Sequence, residues 1–256
     1  MKFLRPLIIA AGLIAVWQMV VWLAATPPYI LPGPGLVLAR WIESAPLILE
    51  HAGTTLVEIL LGLMFGAAIG AASALTLAHY RPARTWLLPV LVISQAIPVF
   101  ALAPVLVLWL GYGLASKVVM AVLIIYFPVT ATFLDGLRRT DPGWLDLAAV
   151  MNASPGVALW RIRVPAAMPA FASGLKVAAA VAPIGAVVGE WVGSSAGLGY
   201  LMLHANGRMQ IDLMFAALLT LAVIAVALYL IVDRASRHLA PWQVSNNINE
   251  ENNINN

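Results

Sequence analysis

Long apolar runs, separated by short polar stretches, set the pattern along this chain. They fall at roughly 7–25, 54–78, 86–110, 115–135, 170–192 and 212–232. A helix needs about 20 apolar residues to cross the hydrocarbon core of a bilayer. The pattern therefore predicts an all-α, polytopic membrane protein with about six transmembrane helices. The first run follows Lys2 and Arg5 and stops at Thr26-Pro27-Pro28. A charged start before an apolar run also fits a secretory signal peptide. The length of the run, and the bulk of Trp17 and Trp22 near a cleavage point at Leu23-Ala24-Ala25, favour an uncleaved anchor.

Composition sharpens this picture. Apolar residues make up 62% of the chain and charged residues 10%, against roughly 45–50% and about 25% in globular domains. A surface so poor in charge is solvated by lipid. The absence of cysteine excludes disulfides, thiol catalysis and thiolate metal sites. The net charge of +3 matters less than its distribution. With the N-terminus inside, the inner segments hold ten cations: Lys2, Arg5, Arg81, Arg84, Arg138, Arg139, Arg161, Arg163, Arg234 and Arg237. The outer segments hold Arg40, Lys117 and Arg208. Cytoplasmic loops are the ones enriched in Lys and Arg, so both termini are expected inside. Residues 1–244 form the membrane domain, and the Asn-rich stretch Ser245–Asn256 is expected to be disordered.

Within the spans, Gly62, Gly66 and Gly70 recur every four residues with Ala67, Ala71 and Ala74 beside them, a stripe that lets helices approach closely. The third run carries Pro89, Pro98 and Pro104. Each removes a backbone donor and bends or breaks a helix, so backbone there either kinks for packing or lines a cavity. Charged groups in spans are costly and invite a functional reading. Glu58 and Glu190 lie near the outer ends of the second and fifth spans. Glu58 either serves a pathway or a partner contact or is an interfacial carboxylate reaching water, and Glu190-Trp191 is either functional or an aromatic interface anchor with a capped helix end. Gln95, beside Pro98, bonds a substrate or glues two helices. Asp135 and Lys176 lie near inner ends, solvated or paired. Histidines 51, 79, 204 and 238 are scattered and offer no metal-ligand spacing.

About 34 residues separate the fourth and fifth spans, more than a tight connection needs. Asp141-Pro142 predicts a helix start, with Asp as cap and Pro in the first turn. That helix should run to about Met151 and end at Asn152. Ser154-Pro155 starts a second by the same logic, expected to stop at Val164-Pro165. Leu145, Leu147, Val150, Met151, Leu159 and Trp160 give this helix pair an apolar side. The pair either docks a partner or packs on its own membrane domain.

Asp146-Leu-Ala-Ala-Val-Met-Asn-Ala-Ser154 followed by Ile162-Arg-Val-Pro165 resembles the EAA loop of bacterial ABC importer permeases. That pattern runs Glu-Ala-Ala, three residues, Gly, nine residues, Ile-x-Leu-Pro. Here Asp146 replaces Glu, Asn152 replaces Gly and Val164 replaces Leu, keeping charge, a turn-compatible backbone and apolarity. Tyr29-Ile-Leu-Pro-Gly-Pro34, Tyr126-Phe-Pro128, Gly189-Glu-Trp-Val-Gly193 and Gly197-Leu-Gly-Tyr-Leu201 are similar to the nitrate, sulfonate, taurine and thiamine-precursor branch. Thr54-Thr-Leu-Val-Glu58 and the 189–203 stretch look most like permeases for hydroxymethylpyrimidine-type thiamine precursors. Sulfonate, taurine, nitrate and riboflavin remain alternatives.

The resemblance implies a type I importer permease fold with cytoplasmic coupling helices. It implies ATPase coupling through Asp146, Leu147, Ala148, Asn152, Ala153, Ser154, Ile162 and Pro165. Glu58, Gln95, Glu190, Trp191 and Tyr200 become candidates for the pathway or for contact with a binding protein, as do His204 and Arg208 on the outside. No Gly-x-x-x-x-Gly-Lys-Ser/Thr phosphate loop is present. The chain is thus expected to bind no cofactor and catalyse nothing, with ATP and Mg on a separate ATPase. The implied partners are an ATPase dimer, a second permease copy, a periplasmic or lipid-anchored binding protein and membrane lipid, without nucleic acid. An ion-coupled secondary transporter is the main rival. It would need midplane ion sites and usually internal repeats, and neither is visible. A membrane-embedded enzyme would need paired carboxylates, a Ser-Lys or Ser-His arrangement or metal ligands in the spans, and none is visible either.

Overall fold

The computed structural model describes residues 4–239, and every regular element among them is a helix. The Asn-rich stretch Ser245–Asn256 lies outside the described residues. Helix α1 (Leu4–Leu23) stops where the apolar run gives way to the Thr26-Pro27-Pro28 turn. Helix α2 (Pro34–Glu43) begins on a proline, whose missing N–H costs nothing in a first turn. It buries Val37 and turns Leu36, Leu38 and Ile42 outward. Ten residues is too short for a span, so no long apolar run announces it. Helix α3 (Ala45–His79) has 35 residues. At 1.5 Å per residue it is about 52 Å long, well beyond the ~30 Å hydrocarbon core.

The run 86–110, read from sequence as one span, is two helices, α4 (Arg81–Ser94) and α5 (Val99–Leu110), bent by 98°. Of its three prolines, Pro89 and Pro104 are held inside the helices, and Pro98 sits in the break. Helix α4 closes with tightened turns, the Gln95 N–H donating to Val92 O and the Ala96 N–H to Ile93 O. Pro98 has no N–H to carry the ladder onward.

Helices α6 (Leu114–Arg138), α7 (Pro142–Val150), α8 (Pro155–Ala158), α9 (Val164–Gly193), α10 (Leu198–Gly207) and α11 (Ile211–Leu239) complete the chain. Among the described residues, α3, α6, the continuous stretch Pro155–Gly193 and α11 are long and apolar enough to cross a membrane, and the bent pair adds a fifth. Helix α1, with 20 residues, is a shorter apolar helix.

The second loop helix does not end at Val164-Pro165. A π turn at Leu159–Arg163 joins α8 directly to α9. There the Val164 N–H donates to Leu159 O, five residues back. The ladder therefore slips register immediately before the residue that cannot donate, so Pro165 continues the helix instead of breaking it.

The chain forms two compact units. The first comprises residues 4–61, 102–121 and 183–225. Its core packs Val37, Ile48, Leu198, Leu201 and Ala216, with Trp17 stacked on Phe215. The second comprises 62–101, 122–182 and 226–239. Its core packs Leu77, Phe133, Leu137, Leu159 and Ala167, with Phe171 against Phe133. Glycines let its helices touch. A Cβ at Gly70 would lie 2.7 Å from Tyr126 O, and one at Gly136 2.6 Å from Ala170 Cβ.

Candidate functional site

Two places concentrate chemistry. The first is the loop pair in the second unit. Asp141 caps α7, its Oδ1 accepting from the Gly143 N–H at 2.7 Å. Helix α7 ends at Asn152, which takes φ +56°, a conformation asparagine tolerates better than most residues. The Ala153 N–H closes that end on Ala148 O at 2.9 Å. Ser154 then caps α8 through Val157 N–H.

This framework presents Leu147, Val150 and Met151 at 60%, 80% and 73% exposure, flanked by exposed Trp144 and Trp160. A groove of about 400 Å³ lies alongside, lined by Trp144, Leu147, Ala148, Met151, Ile162 and Pro165. Of the expected coupling residues, Leu147, Ala148, Ile162 and Pro165 thus share one groove. Asp146 is exposed on α7, while Asn152, Ala153 and Ser154 shape the turn. Ala148 itself is buried at 6% exposure.

The second place is a buried polar cluster in the first unit. Glu58 on α3 is fully buried, and its Oε1 pairs with Lys117 Nζ of α6 at 2.9 Å. Lys117, read from sequence as a residue of an outer segment, is 6% exposed and lies inside the helix. Gly189 lets α9 pass close to Lys117, because a Cβ there would lie 3.1 Å from Lys117 Cα. Glu58 therefore does not reach interfacial water. The pair borders an open cleft of about 550 Å³ lined also by Thr54, Val57, Tyr112 and Leu114.

Glu190, 1% exposed, ties α10 to α3. Its Oε1 accepts from Thr55 Oγ1 at 2.6 Å and its Oε2 from the Gly199 N–H. The Leu198 N–H donates to Thr55 Oγ1 at 2.7 Å, and the Gly197 N–H to His51 Nδ1 at 2.9 Å. The orphan donors at the start of α10 are thereby satisfied by side chains from other helices. Gly197 is required, since it holds φ +109° and a Cβ would strike the Glu190 carboxylate. Tyr200 stacks between His51 and His204, whereas Trp191 is 53% exposed.

Gln95 is elsewhere, exposed in the second unit at the helix break. There Ser94 Oγ and Tyr126 Oη lie 2.7 Å apart and Gln95 Nε2 approaches both at 3.4 Å. Of the pathway candidates, Glu58, Glu190 and Tyr200 lie in one polar region of the first unit, and Gln95 belongs to the second unit. Sequence reasoning missed Lys117, Thr55 and His51. Only Lys117 carried a signal, as a cation inside an apolar run.

Among the described residues the chain is all helical, with long apolar helices and a capped helix pair between two of them. The family model described as "binding-protein-dependent transport system inner membrane component" matches residues 62–244, and the chain belongs to that family. It is 59% identical over 232 residues to a probable ABC transporter permease protein of Haemophilus influenzae, covering 91% of this chain and 95% of the relative. It is 33% identical to a formylaminopyrimidine transport permease of Halalkalibacterium halodurans, covering 94% and 96%. Identity to a riboflavin transport system permease of Chloroflexus aurantiacus is 37%, covering 91% and 88%. A solved inward-facing structure of the MetNI methionine ABC transporter shares the fold, with a TM-score of 0.67 at 19% identity over 77% of this chain and 98% of that one. The chain is a multi-pass inner-membrane permease of an ABC importer.

Proposed function

We propose that this permease carries a hydroxymethylpyrimidine-type thiamine precursor inward. In this reading a binding protein delivers the solute, ATP hydrolysed on a separate cytoplasmic subunit drives its passage, and α7 is the docking knob. The observation that carries the docking role is the bare end of α7. Leu147, Val150 and Met151 stand exposed on a rigidly capped element. A knob with that much apolar surface calls for a partner groove. The charge bias of the loops supports placing this face, and both termini, in the cytoplasm. Two copies related by a two-fold axis supply the closed arrangement most common among oligomers. Nucleotide-driven closure of the ATPases would then bias the permease between two access states.

The relative named for formylaminopyrimidine supports the substrate class. Riboflavin is the second reading, supported by the relative named for it.

Purification of the tagged chain from its own membrane in mild detergent tests the assembly. An ATPase recovered in equal amount is expected. Recovery of the chain alone after cross-linking would favour an ion-coupled transporter. Asp146→Lys should abolish ATP-dependent uptake while leaving the permease in the membrane, and undiminished uptake would remove α7 from the coupling role. Uptake of labelled hydroxymethylpyrimidine and labelled riboflavin, in intact and permease-deleted strains, separates the two substrates.

A further inference from the structure

The second unit carries a basic cavity separate from the groove beside α7. It has a volume of about 460 Å³ and lies where α3 ends and α4 begins, against the α8 and π-turn segment. His79, Arg84 and Arg163 line it, together with Leu159 and Pro155. Neither guanidinium has an ion-pair or hydrogen-bond partner among the described residues. No carboxylate lines the cavity: among the described acidic groups of this unit, Asp135 pairs with Arg139, Asp233 pairs with Lys176 and Arg237, Asp141 caps α7, and Asp146 is exposed on α7. Two guanidiniums held around one cavity without a carboxylate favour an anion, and their fork geometry suits phosphate oxygens.

The surroundings point to a lipid as the source of that phosphate. Tyr80 and Trp86, 58% and 78% exposed, neighbour His79 and Arg84 along the chain. Aromatic side chains of this kind concentrate at headgroup level. From Arg84, the exposed Leu87 and Val90 continue along α4 and offer an apolar track for an acyl chain. We propose that His79, Arg84 and Arg163 form a binding site for the phosphate headgroup of an anionic phospholipid, whose acyl chains lie along α4. Basic pockets between membrane helices recognise such headgroups by charge. The proposal does not depend on the identity of the transported solute.

Native mass spectrometry of the full chain in mild detergent tests it, with phosphatidylglycerol, phosphatidylcholine and inorganic phosphate as separate probes. One phosphatidylglycerol should be retained about tenfold more tightly than phosphatidylcholine, as two arginines near a headgroup allow. The preference should vanish in R84Q/R163Q and persist in R139Q/R208Q, which removes equal charge elsewhere. Should the double variant fail to fold, Arg84→Glu alone should reverse the preference. Equal retention of the two lipids, or a preference that survives R84Q/R163Q, would overturn the site. Displacement of phosphatidylglycerol by equimolar inorganic phosphate would mean that the cavity takes free phosphate instead. Loss of the lipid only in a complex isolated with an ATPase would make the basic trio a protein contact.

Discussion

The two compact units solve one problem differently. Lipid is as apolar as a leucine side chain, so burying leucine does not by itself drive membrane helices together. The second unit answers mainly by removing side chains. Gly66, Gly70, Gly136 and Gly174 bring backbones into contact, and Thr130 Oγ1 donates to Gly70 O at 3.2 Å. Of its charged pairs, Asp135 with Arg139 is exposed and Lys176 with Asp233 is partly buried, and none is fully enclosed among the described residues. The first unit also uses glycines, yet spends Gly189 and Gly197 on making room for Lys117 and Glu190. Close approach secures one unit, and buried polarity secures the other. The second strategy is the more fragile, because each of its groups depends on a particular partner.

That asymmetry can be broken by mutation, with thermal unfolding of the detergent-solubilised full chain as the measure. The largest effect is expected from Lys117→Met, which strands the Glu58 carboxylate. Breaking a buried pair costs about 3–5 kcal/mol, and adding Glu58→Gln should restore most of it. A Lys117→Met variant as stable as the parent would show that the pair is solvated. Next comes Gly70→Val, which forces atoms into the Tyr126 carbonyl and should cost about 1–3 kcal/mol through overpacking. Glu190→Ala should cost about 0.5–2 kcal/mol, the range for a lost helix cap, and should raise hydrogen exchange at the start of α10. The smallest change is expected from Arg139→Gln, within about 0.5 kcal/mol, as for other surface sites. If Gly70→Val proved milder than Arg139→Gln, close approach would not be what secures the second unit.

The parts legible in the sequence were those that local chemistry determines. Apolar length reveals α3, α6, α9 and α11. Asp141, Asn152 and Ser154 reveal the turns of the loop pair, because a side-chain acceptor or a tolerated positive φ acts within three residues. Pro98 marks the break between α4 and α5, although three prolines left its position open. The remainder depends on distance in space. Nothing near Glu58 or Lys117 signals that α3 and α6 bring them to 2.9 Å. Glu190 reads as an end-of-span carboxylate until α10 folds back onto it. The π turn is equally hidden, since Val164-Pro165 has the local signature of a helix end. Helix α2 escaped notice because it is amphipathic and only ten residues long.

The Glu58–Lys117 pair has a history as well as a geometry. A ribosome delivers the chain from its N-terminus, so the glutamate emerges about 60 residues ahead of its lysine. At roughly 5–20 residues per second, that is an interval of about 3–12 seconds. Throughout it, α3 exists with a carboxyl group whose counter-ion has not yet been synthesised. Insertion of α3 on its own is opposed for that time, and the arrival of α6 removes the opposition. The order of translation thereby makes the arrival of α6 the event that supplies α3 with the counter-ion of Glu58.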